Sequence, residues 1–369
     1  MFNTILIYLS LIIFTIFGAY ISSKYESKRP IGFLLMFILI WISIIIGGRY
    51  EVGTDWPNYL DLYYSILNYG ITFNSSIFNG YEPLYLMLNA IFAFFDLSPS
   101  IFFTGVALLQ FVLLCKAVDN KKILPWVIFF FFTQLFAMSL NIQRQMIAVG
   151  FFLLATKYLD KSKVVYLVLV LCATLFHYSS IILFPLVFIN NHIFSFLENR
   201  VIAILLFFAT LIFSEVFLGI LNLSSMGDLL SVSDKYVKNL DAVDIEMDVS
   251  SGYGIIARNL MAIESIYYMP HLLNFYKNVR LSSIYRLFII GLLLSNIFEI
   301  SMFLSRIPLA LVSLKVLIYP LLCRYWFRKK THPLELLIGI GFILLHLAMF
   351  IMSIVNNDSG ISPYNFKWL

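Results

Sequence analysis

Charge is scarce in this chain. Of its 369 residues only 12% are Asp, Glu, Lys or Arg, while 61% are hydrophobic. A soluble domain of this length cannot hide so much apolar surface. Cysteine is scarcer still. Cys115, Cys172 and Cys323 are scattered in or at the ends of apolar runs, which excludes a disulfide framework or a cysteine metal cluster. They read as buried apolar fillers. Short strands of alternating apolar and polar residues are missing, which excludes a membrane β-barrel. Neither a G-x-x-x-x-G-K-[ST] loop nor a G-x-G-x-x-G turn after a strand is present, which argues against cytosolic ATP as an energy source. No internal repeat or low-complexity tract is visible. The net charge of +5 does not point to nucleic acid, because the basic residues sit beside apolar runs, where they encode membrane topology.

What is present is a series of continuous apolar runs. A helix needs about 20 apolar residues to cross about 30 Å of hydrocarbon, and in lipid the backbone must satisfy its own hydrogen bonds. The expected fold is therefore all-α, a polytopic integral membrane protein with about 11 helical spans. They are Phe2–Ile21, Ile31–Gly47, Ile101–Val118, Ile123–Leu140, Ile142–Leu159, Val164–Ile189, Val201–Leu221, Ile255–Tyr276, Ile284–Phe303, Ile307–Cys323 and Leu334–Val355. Phe2–Ile21 has no basic n-region or small-residue cleavage site and reads as a retained span. Glu82–Phe95 is too short to cross easily, and Ser98-Pro99 restarts a helix after it. The bias of Lys24, Lys28, Arg29, Lys116, Lys121, Lys122, Lys157, Lys161, Lys163, Arg324 and Arg328–Lys330 sets one face as cytoplasmic. It does so if Glu82–Phe95 is interfacial or re-entrant, and if Val164–Ile189 is a helix pair broken around His177-Tyr178-Ser179-Ser180.

On that topology few basic residues face outside: Arg49, Arg144, Lys235, Lys238, Arg258, Arg306 and Lys367. Positive charge is avoided on that face unless something uses it, so the four arginines at span ends are candidates. The chain reads as a single membrane domain over 1–369, with external loops at about 48–81 and 222–254. The second loop is acidic and matches no motif. The first opens with Gly48-Arg49-Tyr50-Glu51-Val52-Gly53-Thr54-Asp55-Trp56-Pro57-Asn58-Tyr59, in which Gly48, Gly53 and Pro57 exclude a regular helix. Arg49 offers a planar fork for phosphate or carboxylate, and Asp55 a carboxylate that orients a hydroxyl or takes its proton. The bland alternative is a pair that pins the loop, with Asp61 or Glu51 as the acid. Trp56, Tyr50, Tyr59 and Tyr63 suit stacking on sugar rings, or a plain interfacial belt.

Arg144 lies among Asn141, Gln143 and Gln145 with no acid near it in sequence. Anion binding is the reading favoured over capping of a helix hairpin. His177 interrupts an apolar run at membrane depth. A neutral histidine there is a general base, or bonds Ser179 or Ser180 as ordinary interhelical glue. Glu299 lies seven residues before Arg306, and Glu264 six after Arg258. Such charges pair or line a polar cavity. The remaining histidines, His192, His271, His332 and His346, make no metal-ligand spacing.

Taken in order, these segments resemble the EpsG family of exopolysaccharide proteins, which belong with the Wzy-type polymerases. The matching pieces are Gly48-Arg49-Tyr50-Glu51-Val52-Gly53-Thr54-Asp55-Trp56 with Tyr59, then Tyr81-Glu82-Pro83-Leu84-Tyr85, then Arg144-Gln145 with Ile147-Ala148. Phe176-His177-Tyr178-Ser179-Ser180, the late Arg306 and Pro363-Tyr364 complete the set. The resemblance implies a GT-C-like, metal-independent glycosyltransferase without a cofactor. It would join undecaprenyl-diphosphate-linked oligosaccharide units into exopolysaccharide, capsule or O-antigen at the external face of a bacterial cytoplasmic membrane. Its implied partners are that lipid-linked donor, the bilayer and a chain-length regulator, with no nucleic acid. Carried over residue by residue, His177, Asp55 and Arg306 are the implied catalytic set. Arg49, Arg144, Glu82 and Tyr59 are the implied contacts to diphosphate and sugar, and Arg258 and Glu299, outside the matching pieces, join them on the reading of their charge at membrane depth. Whether His177 or Asp55 is the base stays open. So do two competing classes, a lipid-linked oligosaccharide flippase and a polysaccharide O-acyltransferase using a histidine.

Overall fold

A computed structural model describes residues 2–25, 31–70, 80–188, 194–223, 252–298, 304–328 and 332–369, and the side chains of all these except 214–223 and 252–253. Glu299 and most of the acidic loop lie outside the described residues. Within them the protein is all-helical, with one isolated antiparallel bridge, Arg49 to Phe366. Five helical segments are long and apolar enough to cross a bilayer: Phe2–Tyr25, Pro99–Ala117, Val279–Phe298, Leu309–Trp326 and Pro333–Val355. This is a multi-pass helical membrane protein.

The chain forms two compact units, residues Met1–Phe188 with Ser313–Leu369, and Ile189–Val312. The first unit opens with α1 (Phe2–Tyr25), α2 (Phe33–Gly47), α3 (Trp56–Tyr69), α4 (Pro83–Phe94) and α5 (Pro99–Ala117). Then come α6 (Leu124–Gln134), α7 (Phe136–Asn141), α8 (Gln143–Ala155) and α9 (Lys163–Phe176), followed by a 3-10 arm, Tyr178–Phe188. Helices Lys315–Trp326 and Pro333–Val355 and a tail to Leu369 return to the same unit.

Several apolar runs yield shorter helices than their length suggests. Ile123–Leu140 breaks into α6 and α7 at Leu135, next to Thr133, whose hydroxyl bonds back to the Phe129 carbonyl at 3.1 Å. Val164–Ile189 breaks at His177, whose extended backbone (φ −160°, ψ 116°) ends α9. The arm then doubles back along α9, and the Tyr166 hydroxyl donates to the Leu183 carbonyl at 2.8 Å. With eleven helical residues on one side of His177 and six tighter 3-10 residues on the other, that bond requires an antiparallel hairpin with His177 at its tip.

α3 is amphipathic. Trp56, Tyr59, Leu62, Tyr63 and Ile66 recur at helical spacing and are buried, while Asp61 is exposed. The buried face joins Tyr85, Phe102, Phe103, Ile147 and Phe176 in an aromatic core. Tyr63 stacks on Phe102 with centroids 5.0 Å apart, and Tyr59 meets Tyr85 edge-on at 5.8 Å. This core carries the loop after α2, the start of α4 and the end of α9 on one end of the unit.

The second unit contains helices Arg200–Leu223, Gly252–Tyr276 and Val279–Phe298. Polar groups link the last of these to the first and to the turn before it: Arg286 Nε donates to Glu198 at 2.7 Å, and Asn296 Nδ2 to the Phe207 carbonyl and Thr210 hydroxyl at 3.2 and 3.0 Å. Arg258 is exposed on the second of these helices. Arg306 lies half-buried in a separate 3-10 turn, Leu304–Arg306.

Candidate active site

The loop after α2 closes on itself through Arg49. Its guanidinium is only 3% exposed and donates to three backbone carbonyls: Nη1 to Ile46 at 3.1 Å, Nε to Val52 at 3.3 Å and Nη2 to Leu140 at 3.3 Å. It also lies over the Phe103 ring, 4.9 Å from its centroid. Burial pulls the group down to about 10, still far enough above neutrality to keep the charge. The loop is pinned by Arg49, as one of the two readings of the sequence had it, but carbonyls take the place of a carboxylate. Glu51 and Asp61 are both exposed.

A second layer of restraint comes from the tail. Gly53 N donates to the Gly360 carbonyl at 2.8 Å, Tyr50 N to Asn365 at 3.0 Å, and Lys367 N to Gly48 at 2.8 Å. The Tyr364 hydroxyl donates to the Ile45 carbonyl, and Tyr8 Oη to the Ile361 carbonyl at 2.8 Å. Asn141, at the end of α7, ties three pieces together. Its Oδ1 accepts from Thr54 Oγ1 at 3.0 Å and Asp55 N at 3.3 Å, and its Nδ2 donates to the Ser359 carbonyl at 2.8 Å. Gly53 sits at φ +100°, beside Asn141 Oδ1. At Gly48 the obstacle is different: a Cβ there would lie 2.3 Å from the Phe366 ring.

The polar centre of this end is Glu82. It precedes α4, where Pro83 opens the helix and the Glu82 carbonyl accepts from Tyr85 N and Leu86 N at 3.1 Å each. Its carboxylate is 3% exposed. One oxygen takes the Arg144 Nη1 hydrogen bond. The other takes His177 Nδ1 at 2.8 Å and a long contact from Tyr178 N at 3.4 Å. Burial raises this carboxyl, but the His177 hydrogen bond and the Arg144 charge outweigh it and hold Glu82 below the usual carboxylate range. Glu82 is therefore ionised at neutral pH.

Arg144 projects from the first turn of α8. Besides Glu82 it donates to the Gly80 carbonyl at 3.2 Å, lies within electrostatic reach of the Tyr59 hydroxyl and sits 4.8 Å from the centroid of Tyr81. Its side chain keeps 24% of its surface exposed. The acid it lacked in sequence is thus supplied from 62 positions away. His177 finds its partner 95 positions away in the same carboxylate, in preference to Ser179 or Ser180. Nδ1 faces an ionised acceptor and so carries the hydrogen. Nε2 is then the basic nitrogen, on a side chain 21% exposed. Tyr59 is buried and its hydroxyl is pushed up to about 12, chiefly by burial. Asp55 is half-buried just before α3, within electrostatic reach of Tyr59 and Tyr81.

Of the residues singled out in the sequence, the first unit thus brings Glu82, Arg144, His177 and Tyr59 into one network, with Asp55 beside it and Arg49 beneath the loop. Arg258 and Arg306 belong to the second unit, and Glu299 lies outside the described residues. Glu82 as the hub and Asn141 as the tie were not legible as such. Their only signals were the Tyr81-Glu82-Pro83 motif and the polar patch around Arg144.

These features define a class: a multi-pass helical membrane protein with a histidine–carboxylate–arginine network held at one end of a helical unit by a braced, glycine-broken loop. The chain belongs to the EpsG family, whose model matches residues 32–366 and so takes in the network, the loop and the tail as far as Phe366. That family is associated with Wzy-type polymerases of polysaccharide biosynthesis. No curated protein sequence and no solved structure matches the chain.

Proposed function

We propose that this protein is a glycosyltransferase that polymerises undecaprenyl-diphosphate-linked oligosaccharide repeat units on the external face of the cytoplasmic membrane. The observation that carries this reading is the Glu82 carboxylate shared by His177 Nδ1 and Arg144, in a member of a polymerase-associated family. His177 Nε2 takes the proton of the acceptor hydroxyl. The hydroxyl oxygen forms a bond to the anomeric carbon of the donor. The bond from that carbon to the diphosphate oxygen breaks, and undecaprenyl diphosphate leaves with the electron pair. Glu82 stabilises the imidazolium formed, as a buried carboxylate does beside a histidine base. Arg144, the partly exposed cation beside it, meets the charge developing on the leaving diphosphate. Between the two candidate bases, this pairing favours His177, and Asp55 is assigned to orienting the sugar. Tyr59 holds Arg144, and Arg49 shapes the loop from below. Arg306 is assigned to stabilising the leaving diphosphate, as the resemblance implies, Arg258 to diphosphate binding and Glu299 to the sugar.

The test is polysaccharide chain length in a deletion strain complemented with wild type or His177→Gln, with protein abundance measured in both. Long polymer with wild type, and single lipid-linked repeat units with the variant at equal abundance, is the expected result. Normal polymer in the deletion strain itself would remove the polymerase reading. Lost sugar acetylation at normal length would indicate acyl transfer, and repeat units trapped on the inner leaflet would indicate a flippase.

A further inference from the structure

The first unit has a second end with different chemistry. In the first turn of α5 lies Ser100, whose Oγ accepts from Leu369 N in the tail at 2.9 Å. About 24 Å further along, in its last turn, is Lys116, whose carbonyl accepts from Lys157 Nζ at 2.9 Å. α1 runs the same way, from Tyr8, which packs edge-on against Phe136 at 5.4 Å, to Lys24. At that far end an open cavity of about 480 Å³ lies between the end of α1 and the start of α6. Among the described residues it is lined by Tyr20, Ser23, Lys24, Lys122, Pro125 and Trp126, which supply two cations and no carboxylate. Trp126 is set by stacking on Phe327, with rings 5.8 Å apart and 11° from parallel.

What leads into this cavity specifies the ligand. Leu6, Ile13, Phe17 and Tyr20 each leave half or more of their surface exposed. Their spacings of seven, four and three put them on one face of α1, and Lys24 continues that face four residues on. An apolar track more than two helical turns long therefore ends in two lysines framed by Tyr and Trp. Aromatic residues with basic side chains mark the level of lipid headgroups. Basic pockets between helices at that level suit anionic headgroups.

We infer that this cavity is a binding site for one anionic phospholipid. The headgroup phosphate sits between Lys24 and Lys122 against Trp126, and one acyl chain lies along Ile13, Phe17 and Tyr20. The site is independent of the Glu82 network, so its failure would leave the polymerase reading untouched. A soluble phosphate shares the headgroup chemistry but has no use for the apolar track, which is why the assignment is to lipid.

The test is native mass spectrometry of the full-length protein released from mixed micelles with phosphatidylglycerol, phosphatidylcholine or inorganic phosphate. Wild type should retain phosphatidylglycerol in preference to phosphatidylcholine. Lys24→Gln/Lys122→Gln should weaken that retention about 30-fold, from about 1 kcal/mol per basic residue. Lys161→Gln/Lys163→Gln, at exposed lysines not lining the cavity, should leave it unchanged. Phe17→Ser should weaken phosphatidylglycerol retention as well. Equal loss in both lysine pairs, equal retention of the two lipids, or displacement of phosphatidylglycerol by equimolar inorganic phosphate would overturn the assignment. An unchanged Phe17→Ser would overturn the acyl track.

Discussion

Replacing Glu82 by Gln is the sharpest perturbation of the network, because it keeps the shape and changes what the group can accept. The carboxylate serves two donors at once, Arg144 Nη1 and His177 Nδ1. A glutamine offers one acceptor oxygen and one NH2. Arg144 has only donors, so the amide oxygen must turn to it, and the NH2 then faces His177 Nδ1. That nitrogen must now accept, which moves the imidazole hydrogen to Nε2 and removes the base. General-base catalysis contributes about 10²–10⁴-fold, so polymerisation should fall by that factor. Stability should fall less. Breaking a buried ion pair costs about 3–5 kcal/mol, but the amide keeps a hydrogen bond to Arg144, which leaves about 2–4 kcal/mol. The assay is polymerisation rate in proteoliposomes, normalised to folded protein, with the ring-nitrogen shifts of ¹⁵N-labelled His177 reporting the tautomer. Since both groups act on one proton, Glu82→Gln/His177→Gln should be no slower than His177→Gln alone. A Glu82→Gln protein that polymerises at the wild-type rate, or a double variant slower by the product of the single effects, would refute the reasoning.

Arg49→Lys keeps the charge but cannot reach Ile46, Val52 and Leu140 with one ammonium. It should lower thermal stability in detergent by about 2–4 kcal/mol, and a variant of full stability that merely binds donor more weakly would contradict the pinning role. Gly48→Ala should cost about 1–3 kcal/mol by driving a methyl into Phe366. Phe366→Ala should recover part of that loss, and strict additivity of the two would deny the contact. Glu82 is held below its unfolded value, so its stabilisation is complete above about 4.5 and is lost as pH falls through the lower, folded value. A melting series should therefore drop on the acid side, and Glu82→Gln should flatten that part of the curve. An identical acid slope in the variant would place the titration elsewhere.

The membrane class was legible in the amino-acid order because lipid leaves the backbone few choices. Continuous apolar runs can only be helices, and the scarcity of charge excludes a soluble fold. Local breaks were legible for similar reasons. Gly48 and Gly53 break the helix before the loop, Pro57 sits in the first turn of the helix that follows, and His177 with two serines marked the turn of the hairpin. Candidate chemistry was legible too, since arginines and a histidine are expensive beside hydrocarbon. What each polar group touches was decided by the fold. Arg144 was read as an unpartnered cation and His177 as a base or a serine partner, because the carboxylate that joins them lies 62 and 95 positions away. Periodicity carries no information about a contact at that range. Arg49 illustrates the other side of the same limit. Its sequence neighbours are a glycine loop and two acids, yet its donors go to carbonyls of α2, the loop and α7, beneath a tail that begins some 300 residues later. Residue type set which groups had to be satisfied. Only the packing of distant helices determined by whom, since a buried donor takes the acceptor that the tertiary structure brings within reach.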